Sequence, residues 1–174
     1  MGLIDRLFGT REPAVTAPLY DAVVAIGREP HWYLDGAVPD TMDGRFDMIA
    51  AVLAFVLLRL EDDPEAAEPS ARLTEQFIAD MDGQLRQNGV GDVGIGQYVG
   101  QMMSMLGGRL GAYRDGLAAN DLVPAIKRNL YRGDDPGEAA LTHNIDQLLL
   151  FRDRLSGLST GAVLAGKILS GREG

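Results

Sequence analysis

The sequence has no cysteine and only two histidines, His31 and His143, among its 174 residues. The first absence removes disulfides, thiolate nucleophiles, cysteine zinc sites and iron–sulfur clusters together. The second leaves no His-x-x-x-His pair, so a transition-metal centre lacks its usual ligands. Lysine is scarce, at Lys127 and Lys167 alone, and the net charge is -9. A chain this acidic is repelled by phosphates, which argues against direct contact with nucleic acid. Long apolar runs are also missing. The longest, residues 48–58, would make about 17 Å of helix, roughly half of what a bilayer requires. Asp5 and Arg6 interrupt the apolar residues at the N-terminus, so no signal-peptide core forms, and Arg6 stands where a myristoylation signal needs Ser or Thr. Period-two alternation and runs of Val, Ile and Thr are absent as well, which excludes a sheet as the organising element. The missing cysteines fit a reducing compartment, and the expected location is cytoplasmic, with peripheral contact at an inner membrane left open.

What is present is helical. Apolar residues make up 46% of the chain and charged ones 24%, enough for a buried core and against disorder. At roughly 150 residues per domain, the length predicts one helical domain over residues 19–174, preceded by a separate segment, residues 1–18. Within that segment Leu3, Ile4, Leu7 and Phe8 share one side of a short amphipathic turn. Leu19, Val23 and Ile26 open a first helix that stops before Pro30. An aromatic-rich stretch over residues 28–41 follows, as an ordered connection or a very short helix. Asp40 or Thr41 caps the next helix, which is apolar on all sides between residues 48 and 58 and is therefore expected at the centre, with Ile49, Leu53 and Val56 in the core. The five acids of residues 61–68 read as a solvated linker. Further helices are predicted over residues 70–88, 92–117, 121–131, 138–155 and 159–170, their starts marked by Asp92, by Asn120 or Asp121, and by Ser159. The expected fold is all-α, an irregular bundle of six to seven helices.

No catalytic constellation emerges. Gly89-Val-Gly91-Asp-Val-Gly94 matches the letters of a dinucleotide fingerprint, but it follows a helix end where that motif needs a strand. Asp40, Asp43 and Asp47, with Asp80, Asp82 and Asp92, could supply oxygen ligands for a divalent ion; pairing with Arg45, Arg86 and Arg109 is the simpler role. Serine and threonine occur without a nucleophile elbow or neighbouring base. The helix over residues 92–117 has one oddity. Gly96, Gly100, Ser104, Gly108, Ala112 and Gly116 recur every fourth residue, at roughly 1 kcal/mol per glycine relative to alanine. Beside them stand Met102, Met103 and Met105, flexible side chains suited to irregular apolar partners. The stripe reads either as a tight packing seam against the central helix or as a client-binding groove.

Several separated blocks are distinctive: Arg28-x-Pro30-x-x-Tyr33, the run Val38-Pro39-Asp40-Thr41-Met42-Asp43-Gly44-Arg45-Phe46-Asp47, Asp80-Met-Asp82-Gly-Gln-Leu-Arg86, Gly89-Val-Gly91-Asp92, and Gly108-Arg109 with Ala112-Tyr113. In order and spacing they resemble the ubiquinol–cytochrome c chaperone family over residues 20–113. The C-terminal part carries little of the resemblance. Two stretches depart from it: residues 94–101, where the family commonly has basic residues, and residues 105–107, where it commonly has aromatics. The resemblance implies a non-catalytic assembly chaperone, with no cofactor. Its client would be newly made cytochrome b or another bc1 assembly intermediate.

Two expectations about sites follow. The motif residues Pro39, Asp40, Asp43, Gly44, Arg45, Asp47, Asp80, Asp82, Arg86, Gly91, Asp92, Arg109 and Tyr113 should build a polar network of ion pairs and caps joining helices. Client binding should use the face around Tyr98, Gly100, Met102, Met105, Leu106 and Gly108. Two other classes remain open: a small helical carrier that holds a lipid or quinone between helices, and an aspartate-based divalent-metal enzyme.

Overall fold

A computed structural model describes residues 16–87 and 95–169, with the side chains of residues 85–87, 95 and 96 left aside. The expectations for Gly89, Gly91 and Asp92, for the side chain of Arg86 and for the surroundings of Gly96 fall outside what is described. In chain order the helices are α1 (Ala17–Gly27), α2 (His31–Leu34), α3 (Met42–Leu60), α4 (Ala67–Gln87), α5 (Ile95–Ala118), α6 (Val123–Leu130), α7 (Glu138–Ser156) and α8 (Thr160–Leu164). Among the described residues no strand is present. The all-α reading holds.

The centre of the bundle is α3. Every residue from Met48 to Leu57 is buried, Ile49, Leu53 and Val56 included, because a helix apolar all round can only be satisfied by neighbours on all sides. Those neighbours are α1, α4, α5, α6 and α7. The contact with α1 is unusually close: a Cβ on Gly27 would stand 2.8 Å from Ile49 Cγ1. Beside it, α4 presents Leu73, Phe77 and Met81, four residues apart on one buried stripe. Thr16, just before α1, and Tyr20 on α1 tie to that helix through Gln76 and Asp80, at 3.2 and 2.6 Å.

The run that starts α3 explains its own composition. Thr41 is the N-cap, its hydroxyl accepting from the Gly44 N–H at 3.1 Å. Pro39 turns its carbonyl onto Gly44 so tightly that a Cβ there would collide with the oxygen. Trp32 donates its indole N–H to the Ile26 carbonyl at 2.7 Å, and Tyr33 donates its hydroxyl to the Gly27 carbonyl at 2.7 Å. These bonds convert the aromatic-rich connection into an ordered corner with α2 inside it.

The acidic stretch after α3 is more structured than a solvated linker. Asp63 caps a 3-10 turn over Pro64–Ala66 by accepting from the Glu65 N–H at 3.0 Å, Ala66 is buried, and α4 begins at Ala67. Hydrogen bonds from Thr160 and from the Glu65 N–H hold the Asp63 carboxyl below its ordinary value. Glu61 pairs with Arg114 on α5. The acids serve as caps and surface ties.

Candidate functional site

The buried polar network centres on Asp47. Its carboxylate is 1% exposed and accepts from Arg109 Nη2 at 2.7 Å and from Arg132 Nε at 2.9 Å. Arg109, nearly as buried, also donates to the Asn129 carbonyl at 3.0 Å and lies over the Phe46 ring at 5.5 Å. One guanidinium therefore joins α3, α5 and α6. Arg132 sits just past α6 with φ 54°, a left-handed conformation that aims it back toward α3, where it reaches Asp43 as well, at 3.2 Å.

Other motif residues have humbler places. Arg45 pairs with Asp40 at 2.7 Å, but both are exposed. This is a local tie, contrary to the expected link between helices, and its loss should change stability little. Asp80 serves α1 as a hydrogen-bond acceptor for Tyr20. Asp82 lies close enough to Tyr98 to help burial raise that phenol's pKa. Asp40, Asp43 and Asp47 each face an arginine, the simpler of the two roles considered for them.

Tyr113 is fully buried against Phe55, with ring centroids 5.4 Å apart, and its hydroxyl has no hydrogen-bond partner among the described residues. Burial drives its pKa well above the usual tyrosine value, with Arg109 opposing in part. Tyr20 is raised too, by burial and then by Asp80. Both phenols are favoured neutral in the fold. Their contribution is complete below about pH 10, where unfolded tyrosine titrates, and is lost as pH climbs above that. Tyr113→Phe should accordingly match the native chain at pH 7 and resist unfolding at a higher pH, as a circular dichroism titration would show.

The small-residue stripe is neither of the two things expected of it. A Cβ on Gly100, Gly107, Gly108 or Gly111 would meet nothing within 4 Å, whereas one on Gly116 would press on the Asp121 carbonyl oxygen at 2.9 Å. Residues four apart advance about 40° around a helix at each step, so positions 100 and 116 point about 160° apart. The repeat winds from solvent into the core and never forms one face.

A groove lies instead on another side of α5. Tyr98, Met102 and Met105 form one wall, Met81 and Gln84 of α4 the other, and Met42, Asp43, Phe46 and Arg132 the floor and far end; the volume is about 200 Å³. It continues into a more polar recess of about 300 Å³ that adds Arg28, Asp40, Thr41, Arg45 and Ile49. Four of the chain's seven methionines converge on it, so most of the wall can re-form around an irregular apolar shape. Of the residues expected to meet a client, Tyr98, Met102 and Met105 line the groove, Leu106 is buried in the core, and Gly100 and Gly108 face open solvent. The opposing wall and Arg132 were not legible from periodicity, which marks a helix face as apolar without saying what faces it.

The two histidines, distant in sequence, meet in the fold. His31 Nδ1 and His143 Nε2 are 2.9 Å apart, and Glu29 stands 2.9 Å from the other nitrogen of His31. Next to them Asn144 donates to the Gly36 carbonyl and to the Tyr131 hydroxyl, at 3.0 and 2.6 Å. These groups fasten α2 to α7.

A helical bundle held by an internal Arg–Asp–Arg cluster, with a deformable apolar groove beside it, has the form of a binding protein. The family model for the ubiquinol-cytochrome C chaperone matches residues 34–170. This chain belongs to that family. It is also similar to the crystal structure of the Cbp3 homolog from Brucella abortus, with 30% identity, a TM-score of 0.76, and coverage of 88% of this chain and 86% of that one. No curated protein matches the chain significantly. The match extends well past residue 113, so the C-terminal helices share the family's pattern although they carry few of its conspicuous motifs.

Proposed function

We propose that this chain holds an apolar helical segment of newly made cytochrome b in the groove between α3, α4 and α5 while the bc1 complex is assembled. The observation that supports this reading most is the gathering of Met42, Met81, Met102 and Met105 around one cleft with Phe46 and Tyr98. Laying an apolar helix face into such a cleft is a recurrent recognition mode, and methionine walls tolerate variation in the face presented. Family membership supplies the setting of bc1 assembly. Among the described residues no helix is long and apolar enough to cross a membrane, and contact with the inner membrane would run through the client.

The test is co-purification from native membranes. Native chain should retain cytochrome b. Met42→Glu combined with Met105→Glu should lose most of it while keeping the native circular dichroism spectrum. Gly100→Leu, on the solvent face, should behave as native in both respects. Equal retention by all three chains contradicts the reading.

A further inference from the structure

The recess beside the groove is rich in hydrogen-bond donors. Its polar lining is Arg28, Arg45, Thr41, Gln84 and a single carboxylate, Asp40. That carboxylate is already held by Arg45 Nε at 2.7 Å. Thr41 accepts from the Gly44 N–H through its hydroxyl oxygen, which leaves the hydroxyl proton to donate. Arg28 is exposed, and among the described residues no ion pair or side-chain hydrogen bond engages it. The acids around it are occupied: Glu29 is bonded to His31, and Asp80 accepts from Tyr20 and Gln84. Arg28 is not needed to finish α1 either, since the Ile26 and Gly27 carbonyls there accept from Trp32 and Tyr33. With Asp43 and Arg132 at the other end, groove and recess are lined by three arginines and two aspartates. The lining is therefore net positive, in a chain whose net charge is -9.

We infer that the recess receives a carboxylate of the client, from an aspartate or glutamate flanking the apolar face that lies in the groove. Met42, Phe46, Met81 and Gln84 line both cavities, so a helix seated among the methionines brings an adjoining residue to the recess. A carboxylate there accepts charge-assisted bonds from the Arg28 guanidinium and a further bond from the Thr41 hydroxyl, and it brings the lining to neutrality. Methionine walls adapt to many apolar faces and so fix no register; one directional pair at the end of the groove does. This deepens the proposed function by naming the chemistry that flanks the client's apolar face, and it rests on that reading.

Three fluorescent peptides of equal length test it. They share one helical core of leucine and alanine and are flanked at both ends by glutamate, by glutamine or by lysine. The acidity of the whole chain favours the lysine peptide; the inference predicts the opposite order by fluorescence anisotropy. Glutamate should bind more tightly than glutamine by about threefold to fivefold, the scale of a partly exposed charge pair, and lysine should bind most weakly. Arg28→Gln, with a native circular dichroism spectrum, should bind the glutamine peptide as the native chain does and lose the preference for glutamate. Arg28→Glu should prefer lysine. Equal binding of the glutamate and glutamine peptides by the native chain overturns the inference and leaves the groove reading standing, as does a glutamate preference that survives Arg28→Gln. Failure to bind any of the three removes the groove reading and the inference with it. Vesicles of phosphatidylglycerol give the remaining arm: if Arg28→Gln loses vesicle binding while the native chain shows no peptide preference, the recess takes a lipid phosphate and the inference is overturned.

Discussion

Asp47→Ala should lower the free energy of unfolding by about 3–5 kcal/mol, the range for removing one partner of a buried ion pair. The loss is set by what remains. Arg109 keeps its bond to the Asn129 carbonyl but has no carboxylate, in a site where its side chain is 10% exposed. Arg132 is half exposed and can turn to water. For the same reason Arg109→Ala should cost less than Asp47→Ala, because Arg132 still neutralises the carboxylate. Asp47→Leu combined with Arg109→Met should recover much of the loss, since an apolar pair of similar volume removes both desolvation penalties. Urea denaturation of the four chains checks the order. Equal losses for the two single variants would show that Arg132 does not share the charge.

Gly44→Ala should be similarly damaging, at about 3 kcal/mol or more, although the change is one methyl group. Overpacking usually costs about 1–3 kcal/mol because a side chain can move aside. Here the obstacle is the backbone carbonyl of Pro39, held between the α2 corner and the Thr41 cap. Relief requires unseating the start of α3, which carries Asp43 and Asp47. Gly100→Ala is the matched control: its new methyl group meets open space, and the gain in helix propensity should make that chain slightly more stable. Thermal unfolding of the two variants should move in opposite directions.

These two glycines show what the sequence discloses and what it withholds. Gly44 lies inside a run so specific that its neighbours Thr41, Asp43 and Asp47 could be given roles directly, and the structure seats each of them at the start of α3. Composition alone located the core, because residues 48–58 have no polar side to turn outward. Gly100 belonged to a conspicuous repeat, but a spacing of four drifts around a straight helix, so regular spacing produced no common face. Arg132 is invisible in sequence for a different reason. It acts through a left-handed φ beyond α6 and reaches a carboxylate 85 residues away. The groove was half legible: Tyr98, Met102 and Met105 stood out on their own helix, while Met42, Phe46 and Met81 became the opposing surfaces only through tertiary packing. The His31–His143 contact has the same origin, since no local pattern joins α2 to α7.

The central claim is that this groove is the client surface, and crosslinking from its wall tests it most directly. Met105→Cys, the only cysteine in such a chain, carries a benzophenone label in native membranes during synthesis of cytochrome b; Ser104→Cys, one residue away and facing solvent, carries it in parallel. The account predicts a cytochrome b adduct from position 105 and little or none from position 104. Adducts of equal yield from both positions, or an adduct from 104 alone, would contradict it.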